Sequence, residues 1–378
     1  MSEDDKGTLR PARIDDAPLV THFLADLGLV MPEGPDAVIQ HWQGLWVDNP
    51  AIVDFGERAA LGWVLEDDGA VKGFFGNIPQ IAWQGNKKIL ISSARAWAVA
   101  PEYRSETARL CEAFFSQPNA DVLLISSASP PAGRRCEAFG AARMPQPDYA
   151  QVLFWIIDSQ GFLRAAARKK GFGSSTAWAA SIFGALPLEA LKRIKSNRPR
   201  KYSDDVSVRR IAEINEDFDV LWTRRRKELP GKILTSRNAA TLRWYFGLGA
   251  RRDDTRILCC YRNGTLEGYA AVVCEDLPSI GLKRLKIADL FVASDDGGVI
   301  GELITTAYEF AMTKGCHVLE LIGLPQLPRT VVRKYRPFSR SMATFPFFYK
   351  SLDLSLRSQL VDPNAWYITA YDGDTALV

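Results

Sequence analysis

Two tight turns constrain this chain more than any other feature. Asp67-Asp-Gly-Ala lies between Gly62-Trp-Val-Leu-Glu and Val71-Lys-Gly-Phe-Phe-Gly, and Asn263-Gly264 lies between Arg256-Ile-Leu-Cys-Cys-Tyr and Glu267-Gly-Tyr-Ala-Ala-Val-Val. Two-residue hairpin turns need left-handed dihedrals that Asn, Asp and Gly tolerate, so each segment predicts a β-hairpin. The surroundings of the two hairpins also match. Before the first come a strand, Thr8-Leu-Arg-Pro-Ala-Arg-Ile, and a helix opened by Asp15-Asp-Ala-Pro that carries Leu19, Phe23 and Leu27. Before the second come Val206-Ser-Val-Arg-Arg-Ile and the helix of Asp217-Phe-Asp-Val-Leu-Trp.

The order repeats after each hairpin as well. In the first half a strand over Ile89 to Val99 is followed by a helix with Leu110, Phe114 and Phe115 at helical spacing. A buried strand, Asp121-Val-Leu-Leu-Ile-Ser, then leads to a helix over Ala132 to Phe139 closed by Gly140, and Gln151-Val-Leu-Phe-Trp-Ile-Ile closes the sheet. The second half offers Ile287-Ala-Asp-Leu-Phe-Val, a helix over Val299 to Lys314 closed by Gly315, and the strand His317-Val-Leu-Glu-Leu-Ile. Phe345-Pro-Phe-Phe-Tyr and Trp366-Tyr-Ile-Thr-Ala-Tyr would complete its sheet. The reading is an α/β chain of two tandem lobes, residues 1–157 and 205–378, each a mixed β-sheet flanked by helices. Residues 158–204 form a basic helical linker, in which Trp178, Ile182 and Phe183 are expected to pack between the lobes. With 378 residues, two cores are the natural number.

Composition narrows the function classes. Forty-seven Lys and Arg stand against 44 Asp and Glu, so the whole-molecule field is weak and nucleic acid is not an expected partner. The short basic clusters at Arg164 to Lys170, Lys192 to Lys201 and Arg224 to Lys227 read as solvated helix faces. Six cysteines show no paired spacing, and with only three histidines a metal site is not expected. The acidic start and the absence of a long apolar run argue for a cytoplasmic protein without a membrane span.

Trp97-Ala-Val-Ala-Pro-Glu-Tyr-Arg-Ser resembles the acyl-CoA loop of the GCN5-related N-acetyltransferases, in which a strand ends in V-x-P-x-Y-R-G and a helix opens. The resemblance implies two tandem lobes of that fold, with acetyl-CoA or another acyl-CoA as donor. Its pyrophosphate would lie against backbone N–H groups at a helix N-terminus. It places Val99, Tyr103, Arg104, Ser105, Thr107 and Arg109 at the cofactor in the first lobe. In the second lobe the matching stretch is Leu290-Phe-Val-Ala-Ser-Asp-Asp-Gly-Gly, which puts Val292, Gly297 and Gly298 there. Both loops depart from the family: Ser105, Thr107 and Arg109 replace small residues in one, and Asp295 and Asp296 bring negative charge to the other. For the family's acid the resemblance offers Tyr335; Glu320 and Asp289, carboxylates on apolar strands, read as either structurally paired or tuned as bases, with Glu320 the candidate base, and Cys136 reads as packing.

The function implied is acyl-CoA-dependent N-acyl transfer to an amine or hydroxyl, with acetyl the simplest acyl group. Two other readings stand beside it: a non-catalytic lobe pair that binds a ligand or partner, and aminoacyl transfer of the cell-envelope type. The acceptor and the oligomeric state are not legible.

Overall fold

The computed structural model describes residues 6–195, 199, 205–247, 255–342 and 347–373. Its strands are β1 (Thr8–Pro11), β2 (Gly62–Asp67), β3 (Ala70–Gln84), β4 (Lys87–Val99), β5 (Val122–Ile125), β6 (Ala142–Arg143), β7 (Gln151–Ile156), β8 (Ser207–Ile211) and β9 (Ile233–Thr235). They continue with β10 (Thr255–Arg262), β11 (Thr265–Cys274), β12 (Arg284–Val292), β13 (Val318–Leu321), β14 (Phe338–Ser341) and β15 (Phe348–Ser351). Both predicted hairpins form. Asp68 and Gly69 turn at φ 50° and 73° and Asn263 and Gly264 at φ 50° and 80°, the paired left-handed geometry that selected those residues.

Two sheets result, and their strand orders correspond place for place. One runs β1-β2-β3-β4-β5-β15-β6, with β9 added to the far end of β3; the other runs β8-β10-β11-β12-β13-β7-β14. In each, the fourth and fifth strands are parallel and the other neighbours along the order are antiparallel. β5 is buried along its whole length, as a central strand covered on both faces must be.

The correspondence exposes a correction. The strand at Gln151 forms, but it does not close the first sheet: β7 pairs with β13 and β14 in the second. Its place in the first sheet is taken by β15, which pairs with β5 and β6. The late apolar stretch therefore completes the first sheet, and Trp366-Tyr-Ile-Thr-Ala-Tyr is no strand, making only an isolated bridge from Trp366 to Ile233. An apolar alternation says that a strand has a core face, not which sheet supplies its neighbour. The lobes thus exchange their penultimate strands. The expected Phe345 and Asn197-Arg198 and Arg200 lie outside the described residues.

The linker also differs from expectation. Helices Ser159–Lys169 and Ser174–Lys195 pack on each other, with Leu163 so near Gly184 that a Cβ there would lie 3.0 Å from its methyl. Trp178, Ile182 and Phe183 are not between the lobes; they are 55%, 37% and 81% exposed. The side facing the partner helix holds small residues instead, Ala177, Ser181 and Gly184, because only these let two helices approach closely.

Between the sheets sits a fully buried ionic cluster. The Arg237 guanidinium donates to Asp289 on β12 at 2.9 and 3.2 Å, to Asp372 at 3.0 Å and to Thr369 at 3.1 Å. The Tyr269 hydroxyl donates to Asp289 at 2.6 Å. Arg237 follows β9 of the first sheet, so the cluster joins both lobes and the C-terminal tail, Trp366–Asp372.

Candidate functional site

The fourth strand of each lobe creates an opening. β4 pairs with β5 only over Ile91–Ser93, so the ladder between the two strands stops before residues 94–99. β12 pairs with β13 only over Arg284–Ile287, and that ladder stops before residues 288–292 in the same way. Each strand bulges just past the divergence: Ala96 takes φ 52° while the register slips between Phe74 and Gly76, and the β11–β12 register slips at Ala271 and Val272. Val99 and Val292 end these strands, and a 3-10 turn leads from each into a helix, Thr107–Phe115 in one lobe and Gly297–Thr313 in the other. The two predicted loops therefore hold equivalent places.

The openings differ in what fills them. Residues 94–99 of β4 are all half-buried, so solvent reaches that edge. Residues 288–293 are all buried. The C-terminal tail covers them: the Tyr367 hydroxyl donates to the Leu290 carbonyl at 3.2 Å, its ring meets Phe291 edge to face at 5.6 Å, and Thr369 donates to Asp289 at 2.7 Å. What remains there is a cleft of about 300 Å³, whose lining includes Arg225, Lys232, Asp295, Gln326, Trp366 and Tyr367. Beyond Thr369 the tail reaches the first lobe, where a Cβ on Gly373 would stand 2.6 Å from that of Ser126.

Carboxylates already occupy the surroundings of both loops. In the first lobe Glu106 is buried and accepts from Arg109 at 2.7 Å and from the Ser105 hydroxyl at 3.0 Å. Burial pushes its carboxyl up, but the hydrogen bonds from Arg109, Ser105 and the Lys6 amide outweigh that and hold it below its usual range. Arg109 is turned toward Glu106 and toward the Lys6 and Gly7 carbonyls. Thr107 donates to the Arg104 carbonyl at 2.8 Å. The Tyr103 phenol donates to Asp67 on β2, a bond that pushes its pKa up to about 12. Arg104 is exposed and has no side-chain partner among the described residues, so it is the cation of this loop still available to a ligand.

In the second lobe Asp296 caps the helix itself, accepting from the Gly298 and Val299 amides at 2.7 and 3.2 Å. Burial pushes its carboxyl up, and those amides with Arg262 pull it further down. Asp295 pairs with buried Arg225 at 2.5 Å. Gly297 stands against Val331, whose nearest methyl is 3.7 Å from where a Cβ would be. Glu320 is held between Arg284 at 3.5 Å and Arg340 at 3.2 Å. Tyr335 follows the helix Gln326–Arg333, packs against the second lobe's core, and accepts at its carbonyl from the Trp155 indole at 3.2 Å. The structure therefore gathers Val99 to Arg109 around one loop and Val292, Gly297 and Gly298 around the other, and sets Glu320 among ion-paired arginines.

Sequence reasoning missed Glu106, the capping role of Asp296 and the tail over β12. The first two had local signals: an acid three residues before an arginine on a helix, and an Asp directly before a helix start. The tail had none. Among the described residues no group of three or more His, Cys, Asp or Glu comes together as metal ligands would, and the cysteines are free thiols. A wider cleft of about 990 Å³ runs along β1, β2 and the helix Thr107–Phe115, and it meets the loop only at Arg109.

No protein-family model matches the chain, and no curated protein does. Solved structures do. A GCN5-related N-acetyltransferase from Anabaena variabilis ATCC 29413 is similar over 91% of this chain and 72% of its own, at 11% identity and a TM-score of 0.56. A conserved protein of unknown function from Enterococcus faecalis V583, termed a probable N-acyltransferase, is similar over 92% and 73%, at 9% identity and TM-score 0.57. A GCN5-related N-acetyltransferase from Kribbella flavida is similar over 92% and 71%, at 11% identity and TM-score 0.55. At such identities the likeness speaks for the fold. With two sheets of one strand order, each opening at a bulged fourth strand above a helix start, this chain has the GCN5-related N-acetyltransferase fold in a tandem, two-lobe form.

Proposed function

We propose that the chain is an acyl-CoA-dependent acyltransferase whose first lobe holds the donor and passes its acyl group to an amine or hydroxyl. The observation that carries this is the contrast between the two openings: beyond Ser93 the β4–β5 ladder stops and residues 94–99 stay half-buried, whereas 288–292 of β12 lie under the tail. A pantetheine arm carries amides that can add to a free strand edge as another strand would. The Val99 end of that edge leads directly to Arg104, which has a free charge for phosphate. Ser105, Tyr103 and Thr107 shape the turn between them.

Little side-chain chemistry is then required. Holding the acceptor in line with the thioester lets its lone pair attack the carbonyl carbon; the C–S bond breaks, the new C–N or C–O bond forms, and the acceptor's proton ends on the departing thiolate. This reading makes no use of Tyr335 or Glu320, and it gives Val292, Gly297 and Gly298 a packing role in the second lobe. Titrating the chain with acetyl-CoA in a calorimeter tests it: a saturable heat at one site is expected.

One observation favours the second reading, a lobe pair that binds a partner without catalysis. Glu106 and Asp296 set ionised carboxylates beside both helix starts, where a pyrophosphate would meet like charge. That reading predicts no heat with acetyl-CoA at any concentration used, and a null titration would replace the first reading with it.

A further inference from the structure

The linker helices leave an apolar face uncovered. On Ser174–Lys195 the exposed Trp178, Ile182 and Leu186 recur every four residues, with Phe183 beside them. At 3.6 residues per turn these four fall within an arc of roughly 140°. The opposite side of the helix is the one that packs on Ser159–Lys169, so the face is not a core stripe left over from that contact. Phe172, in the turn between the two helices, is 51% exposed and extends the patch.

Charge identifies the occupant. Residues 159–195 contain seven Lys or Arg and a single Glu, Glu189, which is paired with Lys192 at 2.7 Å. The segment is therefore net +6 in a chain that is net +3, so the remainder is net negative. Such a molecule meets an anionic surface with this end first. Lys169 and Lys170 are exposed at the Phe172 end of the patch and Arg193 at the other, so cations bracket the apolar face at both ends. A bulky aromatic and aliphatic face with basic residues at its margins is the pattern of a helix that lies in a lipid headgroup layer. Spanning is not the alternative: no described helix is long and apolar enough to cross a membrane.

We infer that the helix Ser174–Lys195, with the turn before it, docks the protein on an anionic lipid surface. Trp178, Ile182, Phe183 and Leu186 enter the acyl boundary, and Lys169, Lys170 and Arg193 meet the headgroups. The inference is independent of which lobe, if either, binds acyl-CoA.

Co-sedimentation of the full chain with phosphatidylcholine vesicles, with and without phosphatidylglycerol, tests it. Binding is expected to the anionic vesicles, weakened by added salt, with a blue shift of tryptophan fluorescence that Trp178→Ser removes. Phe183→Ser with Leu186→Ser should weaken partition about tenfold or more, and Lys169→Glu with Lys170→Glu should weaken it at least about fivefold. All of these positions are exposed, and an unchanged unfolding temperature establishes that each variant is folded. The lysine pair tests the inference even where an apolar variant fails to fold. Equal binding to neutral vesicles, or no binding to either, overturns the inference. So does concentration-dependent self-association, read by light scattering, that Phe183→Ser abolishes, since a second copy would then be the occupant.

Discussion

Single residues decide this molecule's tolerance most sharply at Arg237. Its guanidinium is wholly buried, and burial alone would push its proton off. Asp289 and Asp372 outweigh that and hold it well above its usual pKa. Removing the cation leaves two buried carboxylates without their partner, which costs about 3–5 kcal/mol in comparable pairs. Arg237→Met should therefore lose that much in urea unfolding, and a loss under about 1 kcal/mol would show that the cluster contributes no more than a surface pair. Nothing in the sequence marked Arg237, since its partners lie 52 and 135 positions away. Asp68, Gly69, Asn263 and Gly264 were legible because a turn's chemistry is contained in its own residues. Glu106 lay between these extremes: its pairing with Arg109 is written in the i, i+3 spacing, but its contact with the chain at Lys6 is not.

At the level of elements, the strands were visible and their partners were not. The patterns of β7 and β15 reveal a buried face on each, and both sheets offer an equivalent gap for such a strand, so only the folded chain shows the exchange. Its consequence is that neither lobe can complete its sheet from its own stretch of chain. A fragment ending at residue 157 should expose β5 as an unpaired edge and aggregate. Co-expression with the remaining residues should recover soluble protein, and a soluble, cooperatively folded fragment 1–157 would contradict the exchange. The incoming strand is pinned electrostatically as well. Asp353, just after β15, accepts from Lys87 on β4 at 2.5 Å; that bond, helped by the Ser355 hydroxyl, holds its carboxyl down to about 2. A carboxyl depressed by folding stabilises above its unfolded pKa, about 3.9, and the contribution disappears as pH falls toward about 2. Asp353→Asn should thus unfold more easily than the parent at pH 7, with the gap between them closing as the pH falls through that window; a gap that is constant with pH would exclude the ionised pair as its cause.

For the whole molecule the question is how two lobes of one fold come to differ. The tail supplies the difference. Trp366–Asp372 buries Trp366, Tyr367 and Tyr371 between the lobes and lies over residues 288–292, the stretch of β12 that its counterpart in the first lobe leaves accessible. One lobe's opening is thereby covered and the other's left accessible, an asymmetry that the repeated element order could not disclose. Charge follows the same division. The second lobe's helix amides are taken by Asp296, while in the first lobe Arg104 is exposed and unengaged among the described residues. Removing a cation that binds phosphate forfeits a charge-assisted hydrogen bond, about 1.5–3 kcal/mol or tenfold and more in affinity. Arg104→Ala should weaken acetyl-CoA binding by that factor. Arg109→Ala is the poorer probe, because Arg109 also neutralises buried Glu106 and its loss would disturb the fold. Asp296→Asn keeps a side chain able to cap the helix and removes the carboxylate at the helix start, leaving Asp295 paired with Arg225. If that loop held the pyrophosphate, the change would tighten binding; with the donor in the first lobe it should leave the dissociation constant unaltered. Calorimetry on the two variants therefore locates the site, and tighter binding by Asp296→Asn with no effect of Arg104→Ala would move it to the second lobe.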